Sequence, residues 1–456
     1  YTISPDSRGL REFKFEDYSR LAAESILERA VEKRPMAIFS ASDATVGLAS
    51  SMVARSLKIP FIYEMRGLWA MTRSANNPEF RGSARYDLMM KMEKQCALSA
   101  TIVLTISDRM RRIVEGWGVE RSKIMVLPNG IDSTWDSRSR LGEDGSDSQN
   151  TVFGYLGSIV PYEGLETIVE VAEVVKNYGL KGIKFVVVGN GSAKDDLIEL
   201  VLSRNLSDLV DIREGIPNEM VPKFYAEVDA IILPRLDYEV CQIVPALKPL
   251  EAMANAKCVI SSDVYPAREL ISDGENGILF QAGNSKDLAE KIIEIVKNDV
   301  DLEKIGKQGE DFVKRERVWP SLLSEIVCEI YTLQICTELN SKSPDTKYIS
   351  YLIDKTDQIG SRDGEGSRVA LFNEILKRKT GIRARRNAFL AFLRSLGDSN
   401  PENAVRFFLD WEEFVDHRSA RSAVTFAKRA GLDYEAGSII KRHVDILDEA
   451  FIEKNT

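Results

Sequence analysis

The sequence predicts an α/β protein with two doubly wound, Rossmann-like domains, followed by a C-terminal all-α module. Short apolar segments alternate with helical patterns in two long series, which is typical of parallel sheets covered by helices. A strongly polar stretch, residues 136–150, separates the two series and marks a domain boundary. Beyond about residue 336 the apolar residues recur at spacings of three and four, which indicates helices alone.

The first series predicts an N-terminal domain at residues 1–135. Its expected strands are residues 37–40, 61–63, 101–106 and 123–127. Its expected helices are residues 17–33, 45–57, 82–99 and 107–116. Only about four strands can be counted, and the chain begins at Tyr1 without a methionine. We therefore expect a fragment of a longer gene product, with a shortened domain as the alternative.

The second series predicts a nearly complete Rossmann-like domain at residues 150–335. Its main expected strands are residues 151–156, 184–188, 210–213, 230–233, 258–261 and 277–280. Ligands of such sheets bind at the carboxyl ends of the strands. Residues that directly follow strands should therefore line one edge, and these are Gly157, Gly189, Gly191, Gly215 and Arg235.

The C-terminal part is predicted to contain a polar linker, residues 336–367, and a helical module, residues 368–456. The expected helices are residues 368–379, 386–396, 401–415, 418–430 and 435–453. Phe389, Phe392 and Leu396 illustrate the helical spacing of the apolar residues. We expect antiparallel helices that are separable from catalysis, with a packed cap on the core as the alternative.

Composition excludes several classes of protein. The net charge of −9 argues against general nucleic-acid affinity. No apolar stretch reaches the length of a membrane span. Five scattered cysteines without a CxxC pair fit a reducing compartment and argue against structural zinc. The two histidines, His417 and His443, lie near the C-terminus, so a histidine base in the main body is excluded.

The segment from Leu233 to Val264 gives the strongest indication of a binding site. A helix is predicted to start at Pro249, where proline loses no hydrogen bond, and its free amides and positive dipole end favour anions. Arg235 and Lys248 add two cations, and Glu251 in the first turn is suited to gripping paired hydroxyls. A diphosphate joined to a ribose meets both demands, so a sugar nucleotide is the predicted ligand. Alternatively, Glu251 only complements the helix dipole and Lys248 is a solvated loop lysine.

Seven short motifs in a fixed order support this prediction. They are YEMRGLW (63–69), PNGID (128–132), GYLGS (154–158), GLE (164–166), VGNG (188–191), KPLEAMA (248–254) and DGENG (273–277). The ordered set resembles the retaining glycosyltransferases of family 4, which have the GT-B fold of two facing Rossmann-like domains. The resemblance covers about residues 9–333, and KPLEAMA resembles a subgroup in which lysine has the place of Lys248.

The resemblance implies a role for each matching residue of the donor site. Glu251 would bind the donor ribose, and the amides at Pro249-Leu250 would hold the diphosphate. Gly157 would let the backbone approach the phosphates, and the loop at Gly215-Ile216 would contact the base. The remaining residues of the expected donor-binding set are Ser158, Gly189 and Gly191.

Two departures concern charged residues. Family members carry a second glutamate eight positions before Glu251, where this chain has Ile243, unless Glu239 substitutes from a displaced loop. The usual arginine and lysine that neutralise the diphosphate fall at Ser158 and Glu163, so neither cation is present.

We therefore predict that Lys248, Arg235 and Arg66 supply the missing positive charge as catalytic residues. Arg66 follows a strand, and Gly67 lets the backbone turn there, so it is expected to face the cleft. An ion pair with Glu64 is the alternative.

The implied reaction is transfer of a sugar from a nucleotide diphosphate sugar with retention, without a metal or another cofactor. The expected partners are the donor and a saccharide or lipid-linked acceptor, but no nucleic acid. Surface polysaccharide or glycoconjugate synthesis in the cytoplasm is the expected setting. The inner face of the membrane, peripheral membrane association and a protein partner for the helical tail are further options. Two alternatives are a non-catalytic nucleotide-sugar-binding scaffold and a sugar-nucleotide 2-epimerase of the same fold.

Overall fold

The structure is a computed structural model that divides into two compact units, Tyr1–Leu322 and Leu323–Thr456. It describes residues 15–42, 44–133, 150–340, 344–360, 365–378, 382–411, 414–448, 451–452 and 455. Except for Asn150, the predicted boundary at residues 136–150 lies outside the described residues. No helix in the described part of the chain is long and apolar enough to cross a membrane.

The first unit contains a four-stranded parallel sheet in its N-terminal part. Its strands, in the spatial order β1-β2-β3-β4, are β1 (Ile38–Ala41), β2 (Phe61–Met65), β3 (Ile102–Thr105) and β4 (Ile124–Val126). Its helices are α1 (Phe15–Lys33), α2 (Ala44–Leu57), α3 (Trp69–Asn76), α4 (Ala84–Ser99) and α5 (Asp108–Gly116). The four predicted strands are confirmed, whereas α3 was not predicted, because it is eight residues long and its buried residues are two alanines, Ala70 and Ala75.

The second sheet of this unit has six parallel strands in the order β10-β9-β8-β5-β6-β7. They are β5 (Thr151–Leu156), β6 (Ile183–Val188), β7 (Val210–Arg213), β8 (Ala230–Leu233), β9 (Cys258–Ser262) and β10 (Ile278–Phe280). The helices are α6 (Glu166–Asn177), α7 (Lys194–Ser203), α8 (Val221–Glu227), α9 (Lys248–Ala254), α10 (Tyr265–Arg268), α11 (Ser285–Lys297) and α12 (Leu302–Glu316). The predicted Rossmann-like domain is therefore confirmed.

The strand order places the expected ligand crevice at one point of this sheet. From β5 the chain moves to β6 and β7 on one side, and then returns to β8 on the other side of β5. In doubly wound sheets such a reversal opens a crevice outside the carboxyl ends of the two central strands. Here these ends are Gly157, after β5, and Pro234-Arg235, after β8.

Helix α13 (Trp319–Leu339) crosses from the first unit into the second. The other helices of the second unit are α14 (Thr346–Gly360), α15 (Glu365–Lys377), α16 (Ile382–Ser399), α17 (Pro401–Asp410), α18 (His417–Arg429) and α19 (Asp433–Arg442). Phe372 lies at the centre of an aromatic core and contacts the rings of Phe389, Phe392, Phe407, Trp411 and Phe414. The predicted helical face is thus buried.

One part of the tail prediction is wrong. The segment 336–367, expected to be a linker, contains the whole of α14 and the end of α13. Ile349, Leu352 and Ile353 of α14 are fully buried at spacings of three and four. Most of the surrounding residues in this segment are polar, so the apolar face of the helix is hard to recognise in the sequence.

Candidate functional site

A buried carboxylate, Glu163, is the centre of a cluster of charged side chains near the carboxyl ends of β5 and β8. It ends the short 3₁₀ turn Pro161–Glu163 that follows β5, and its side chain is 4% exposed. Its Oε1 atom lies 3.2 Å from the guanidinium of Arg235, and its Oε2 atom lies 3.0 Å from the Lys248 ammonium. One anion therefore joins two cations, one of which follows β8 and the other of which begins α9.

Arg235 uses its guanidinium within the protein. Its Nε and Nη2 atoms contact Glu163, its Nη1 atom donates to the carbonyl of Val244 at 2.9 Å, and the group lies over the ring of Tyr162. The side chain is 11% exposed. Its predicted catalytic role stays a prediction, because all of these contacts are made to other residues of the protein.

Lys248 crosses the end of β5. Its aliphatic chain passes so close to Gly157 that a methyl group added there would overlap the Lys248 Cε atom. Gly157 also has a φ of +154°, a conformation that side chains disfavour. The Lys248 ammonium lies 5.2 Å from the ring centre of Tyr155, within the range of a cation–π contact. Glycine at position 157 thus allows the lysine to reach the crevice.

The three charges shift one another's protonation equilibria. Burial opposes ionisation of Glu163, but the charges of Arg235 and Lys248 prevail and lower the pKa of its carboxyl. Burial lowers the pKa of the Lys248 ammonium, and the attraction of Glu163 opposes that shift. Burial also disfavours the Arg235 cation, yet Glu163 raises the pKa of Arg235. Glu163 therefore helps to keep both neighbours charged.

Glu251 lies in the first turn of α9, three residues after Lys248. Its carboxylate is half-buried and forms no hydrogen bond or ion pair with any residue that the structure describes. Burial raises the pKa of this carboxyl, partly offset by Lys248. A desolvated carboxylate without a partner favours hydroxyl donors from a ligand.

Backbone packing explains two of the predicted glycines. A methyl group at Gly189 would overlap the carbonyl oxygen of Gly157, and one at Gly191 would overlap that of Ile159. The Gly157 amide also donates to the carbonyl of Val188 at 3.0 Å. These glycines let the loops after β5 and β6 lie against each other. Their contact with a donor stays a prediction.

The other predicted donor-site residues differ in their burial and contacts. Ser158 is exposed, and its carbonyl accepts a hydrogen bond of 2.7 Å from the hydroxyl of Tyr155. Gly215 is exposed beside Asn190, and Ile216 is half-buried against the core. Pro249 and Leu250 are buried at the start of α9. Helix α9 begins at Lys248, one residue before the predicted start.

Arg66 lies at the carboxyl end of β2, with its side chain 64% exposed. Its Nε atom is 2.8 Å from the buried carboxylate of Glu64, which is the alternative that the sequence left open. The nearest atoms to the open side of Gly67 belong to Val244 of the second sheet domain. The turn after β2 thus faces that domain, but the role of Arg66 in catalysis stays a prediction.

Direct hydrogen bonds join the two sheet domains of the first unit. The buried Ser107 hydroxyl donates to the carbonyl of Ile243 at 2.7 Å, and the amide of Asp108 donates to Glu269 at 3.2 Å. At the rim, Arg81 pairs with Glu239 at 2.7 Å. Glu239, the proposed substitute for a missing carboxylate, is therefore exposed and paired with an arginine.

Sequence reasoning missed Glu163. The sequence has an acid at the position where the resemblance expects a cation, and by itself this predicts only a loss of positive charge. The cation at Lys248 is present in the same sequence and could have suggested that the two residues pair.

Two family models match the chain. The model described as "Glycosyl transferases group 1" matches residues 138–312, and the one described as "Glycosyl transferase 4-like domain" matches residues 6–130. The two matched ranges correspond to the two sheet domains.

Curated relatives are similar over part of the chain. A poly(ribitol-phosphate) alpha-N-acetylglucosaminyltransferase of Staphylococcus aureus is 26% identical, over 38% of this chain and 34% of its own length. An alpha-D-kanosaminyltransferase of Streptomyces kanamyceticus is 28% identical, over 44% and 52% respectively. The capsular polysaccharide biosynthesis glycosyltransferase CapM of S. aureus is 25% identical, over 64% and 74%. The chain thus spans from about a third to a half of the first two relatives.

Solved structures share the fold. Sucrose-phosphate synthase from Thermosynechococcus elongatus has a TM-score of 0.58 and 19% identity, with 72% of this chain and 81% of that chain covered. HepE from Anabaena, in complex with UDP, has a TM-score of 0.52 and 16% identity, with 67% and 80% covered. At these identities the similarity concerns the fold alone. The two sheets and the solved structures show the GT-B fold, and each sheet domain matches a glycosyltransferase family model.

Proposed function

We propose that this protein transfers a glycosyl group from a nucleotide diphosphate sugar to a saccharide or lipid-linked acceptor, with retention at the anomeric carbon. The observation that carries the proposal is the pair of unlike charges on the first turn of α9. The Lys248 ammonium lies over Gly157 in the crevice, and the Glu251 carboxylate is half-buried without a partner among the described residues.

Each charge suits a different part of the donor. The diphosphate would lie against the end of β5 and the start of α9, where Lys248 provides a cation of low exposure. A cation in such a poorly solvated place stabilises developing negative charge more strongly than it would in water. The Glu251 carboxylate would accept hydrogen bonds from the two ribose hydroxyls.

The reaction would then proceed by attack on the face that the leaving group vacates. The bond from the anomeric carbon to the diphosphate oxygen breaks, and the acceptor oxygen forms its bond on the same side. The leaving phosphate takes the acceptor proton, so the route needs no histidine base, and the sequence has no histidine before His417. The protein stabilises the departing charge and aligns the acceptor.

The relatives support the choice of donor and setting to test first. The HepE structures were obtained with UDP and with UDP-glucose. Two relatives carry names that specify transfer of an amino sugar, and CapM acts in capsular polysaccharide biosynthesis. UDP-sugars and a surface-polysaccharide acceptor are therefore the first candidates for this chain.

The first experiment is a thermal-shift screen with UDP, GDP, ADP and TDP, because a ligand that binds the native state raises the melting temperature. The best nucleotide then defines the sugar donors for a diphosphate-release assay, in which NMR of the product reports the anomeric configuration. Release of nucleotide diphosphate that depends on an acceptor is the expected result. Binding without release under all acceptors would favour the scaffold alternative, and a changed sugar without an acceptor would favour the epimerase.

A further inference from the structure

We propose that Glu163 is a positioning residue, which holds the Lys248 ammonium over the end of β5 and thereby directs it toward the donor diphosphate. This inference rests on the proposed function, and it assigns a role to an acid that lies where the family resemblance places a cation. Glu163 itself would not touch the donor.

The geometry separates the roles of the two carboxylate oxygens. Among the described residues, Oε1 of Glu163 contacts only Arg235, whose guanidinium also donates to the carbonyl of Val244 and is nearly buried. The Oε2 atom lies 3.0 Å from the Lys248 ammonium and 3.3 Å from the hydroxyl of Tyr155. Arg235 therefore serves as the fixed counter-charge that lets an anion exist at this depth.

The charge balance of the cluster leaves one positive charge for a ligand. Glu163 offsets one of its two cations, and each guanidinium nitrogen of Arg235 contacts an oxygen of Glu163 or Val244. An ammonium has three hydrogens, and the contact with Glu163 engages one of them. The side chain of Lys248 is also the more exposed of the two cations, at 18% against 11%. The surplus charge is thus presented by Lys248, on the side of Gly157.

Several neighbouring groups influence the protonation of the Lys248 ammonium. Glu163 and Glu251 favour the ammonium, Arg235 disfavours it, and the Tyr155 ring lies beside it. The Cys241 thiol is a further neighbour of this cluster, and burial raises its pKa to about 11. Removal of the Glu163 charge leaves Lys248 beside Arg235, with Glu251 as the remaining charge that favours the ammonium, so the pKa of Lys248 should fall further.

The main test compares wild type with Glu163→Gln, which keeps the shape and removes the charge. In wild type and variant, turnover at saturating donor is measured as a function of pH. We expect a loss of at least tenfold near neutral pH, and a decline of turnover on the alkaline side that begins at lower pH than in wild type. Wild-type turnover with an unchanged alkaline limb would overturn the proposal.

A second variant, Glu163→Asp, covers the case in which the glutamine variant does not fold. It retains the charge but withdraws the carboxylate by one methylene group, so Lys248 should be displaced while its protonation persists. A displacement of about 1 Å at a reacting group can cost roughly a hundredfold in rate. We expect a loss of ten- to a hundredfold, with the Michaelis constant for the donor changed less than turnover. Wild-type turnover in the aspartate variant would overturn the proposal.

A combination with Lys248→Ala distinguishes positioning from a merely structural role. If Glu163 acts through Lys248, then Glu163→Asp should reduce turnover much less in the Lys248→Ala background than in wild type. Equal losses in both backgrounds would contradict the proposal. The wild type could bind a nucleoside diphosphate and turn over a donor while the effects of the two substitutions simply add. That result would refute the role of Glu163 but leave the proposed function intact. Absence of any nucleoside diphosphate binding to wild type would contradict both this inference and the proposed function.

Discussion

At the scale of single residues, Lys248 and Glu251 share the first turn of α9 but should stabilise different states. The charge on the diphosphate grows as the glycosyl bond breaks, so a cation beside it acts mainly on the transition state. The ribose hydroxyls do not change during the reaction, so a carboxylate that binds them acts equally on ground and transition states. The two side chains can therefore be separated by kinetics.

Lys248→Ala is expected to reduce turnover at saturating donor. Loss of a group that stabilises developing charge typically costs about 2.7–4 kcal/mol, or roughly a hundred- to a thousandfold in rate. Lys257→Ala is the matched control, since Lys257 is a half-buried lysine that follows the opposite end of α9. Unchanged turnover in Lys248→Ala, with a melting temperature equal to that of wild type, would refute the assignment.

Glu251→Gln is expected to weaken donor binding and leave turnover at saturating donor nearly constant. A hydrogen bond to a charged group contributes about 1.5–3 kcal/mol, or roughly ten- to a hundredfold in affinity. Titration calorimetry with the nucleoside diphosphate measures this loss directly. A variant that binds as well as wild type but melts at a lower temperature would instead support the helix-dipole role of Glu251.

At the scale of elements, the loop after β5 determines how far Lys248 can reach. Gly157→Ala should reduce turnover by at least tenfold, because the new methyl group would displace the Lys248 chain that crosses the glycine and misplace its charge. Turnover and melting temperature are measured together. The positive φ of Gly157 adds a backbone strain of about 1–3 kcal/mol for the alanine.

Gly179→Ala is the matched control for that variant. Gly179 also has a positive φ, of 77°, but an added methyl group would meet no atom within 4 Å. Gly179→Ala should therefore lower the melting temperature as Gly157→Ala does, but leave turnover unchanged. If the two variants lose turnover equally, strain in the backbone rather than displacement of Lys248 is the cause.

At the scale of the whole molecule, the division at Leu322 and Leu323 suggests where the chain can be cut. A chain that ends at Leu322 is expected to fold and to bind nucleotide, because both sheets and all the predicted site residues lie before that point. Circular dichroism, melting temperature and nucleotide titration check this. A folded truncated chain without nucleotide binding would show that the second unit is required for the site.

A longer piece that ends at residue 344 is a useful comparison. It keeps α13, whose Glu329 pairs with Arg378 at 2.9 Å and whose Cys328 contacts the carbonyl of Thr356. Ile326, Ile335 and Leu339 of this helix are buried in the full chain. Removal of the partners of α13 should expose apolar surface, so we expect this piece to aggregate more readily than the shorter one.

Much of the architecture was predictable because it depends on local patterns. Alternation of apolar strands and helices predicted both sheets, and Thr151–Leu156, Val210–Arg213 and Ala230–Leu233 have their predicted bounds. The helix at residues 346–360 was missed because its buried residues are few and its neighbours polar. Its apolar face is recognisable only when the partner helices are known.

The sequence by itself determined the two parallel sheets, the place of the crevice at the strand ends, and the residue types of the first turn of α9. Periodicity and motif spacing suffice for these, since each is set by neighbours along the chain. Only the tertiary structure decided that Glu163 is buried between Arg235 and Lys248, and that Arg235 is engaged within the protein. The energy of a charge depends on its surroundings in space, and here Arg235 lies 72 residues away along the chain.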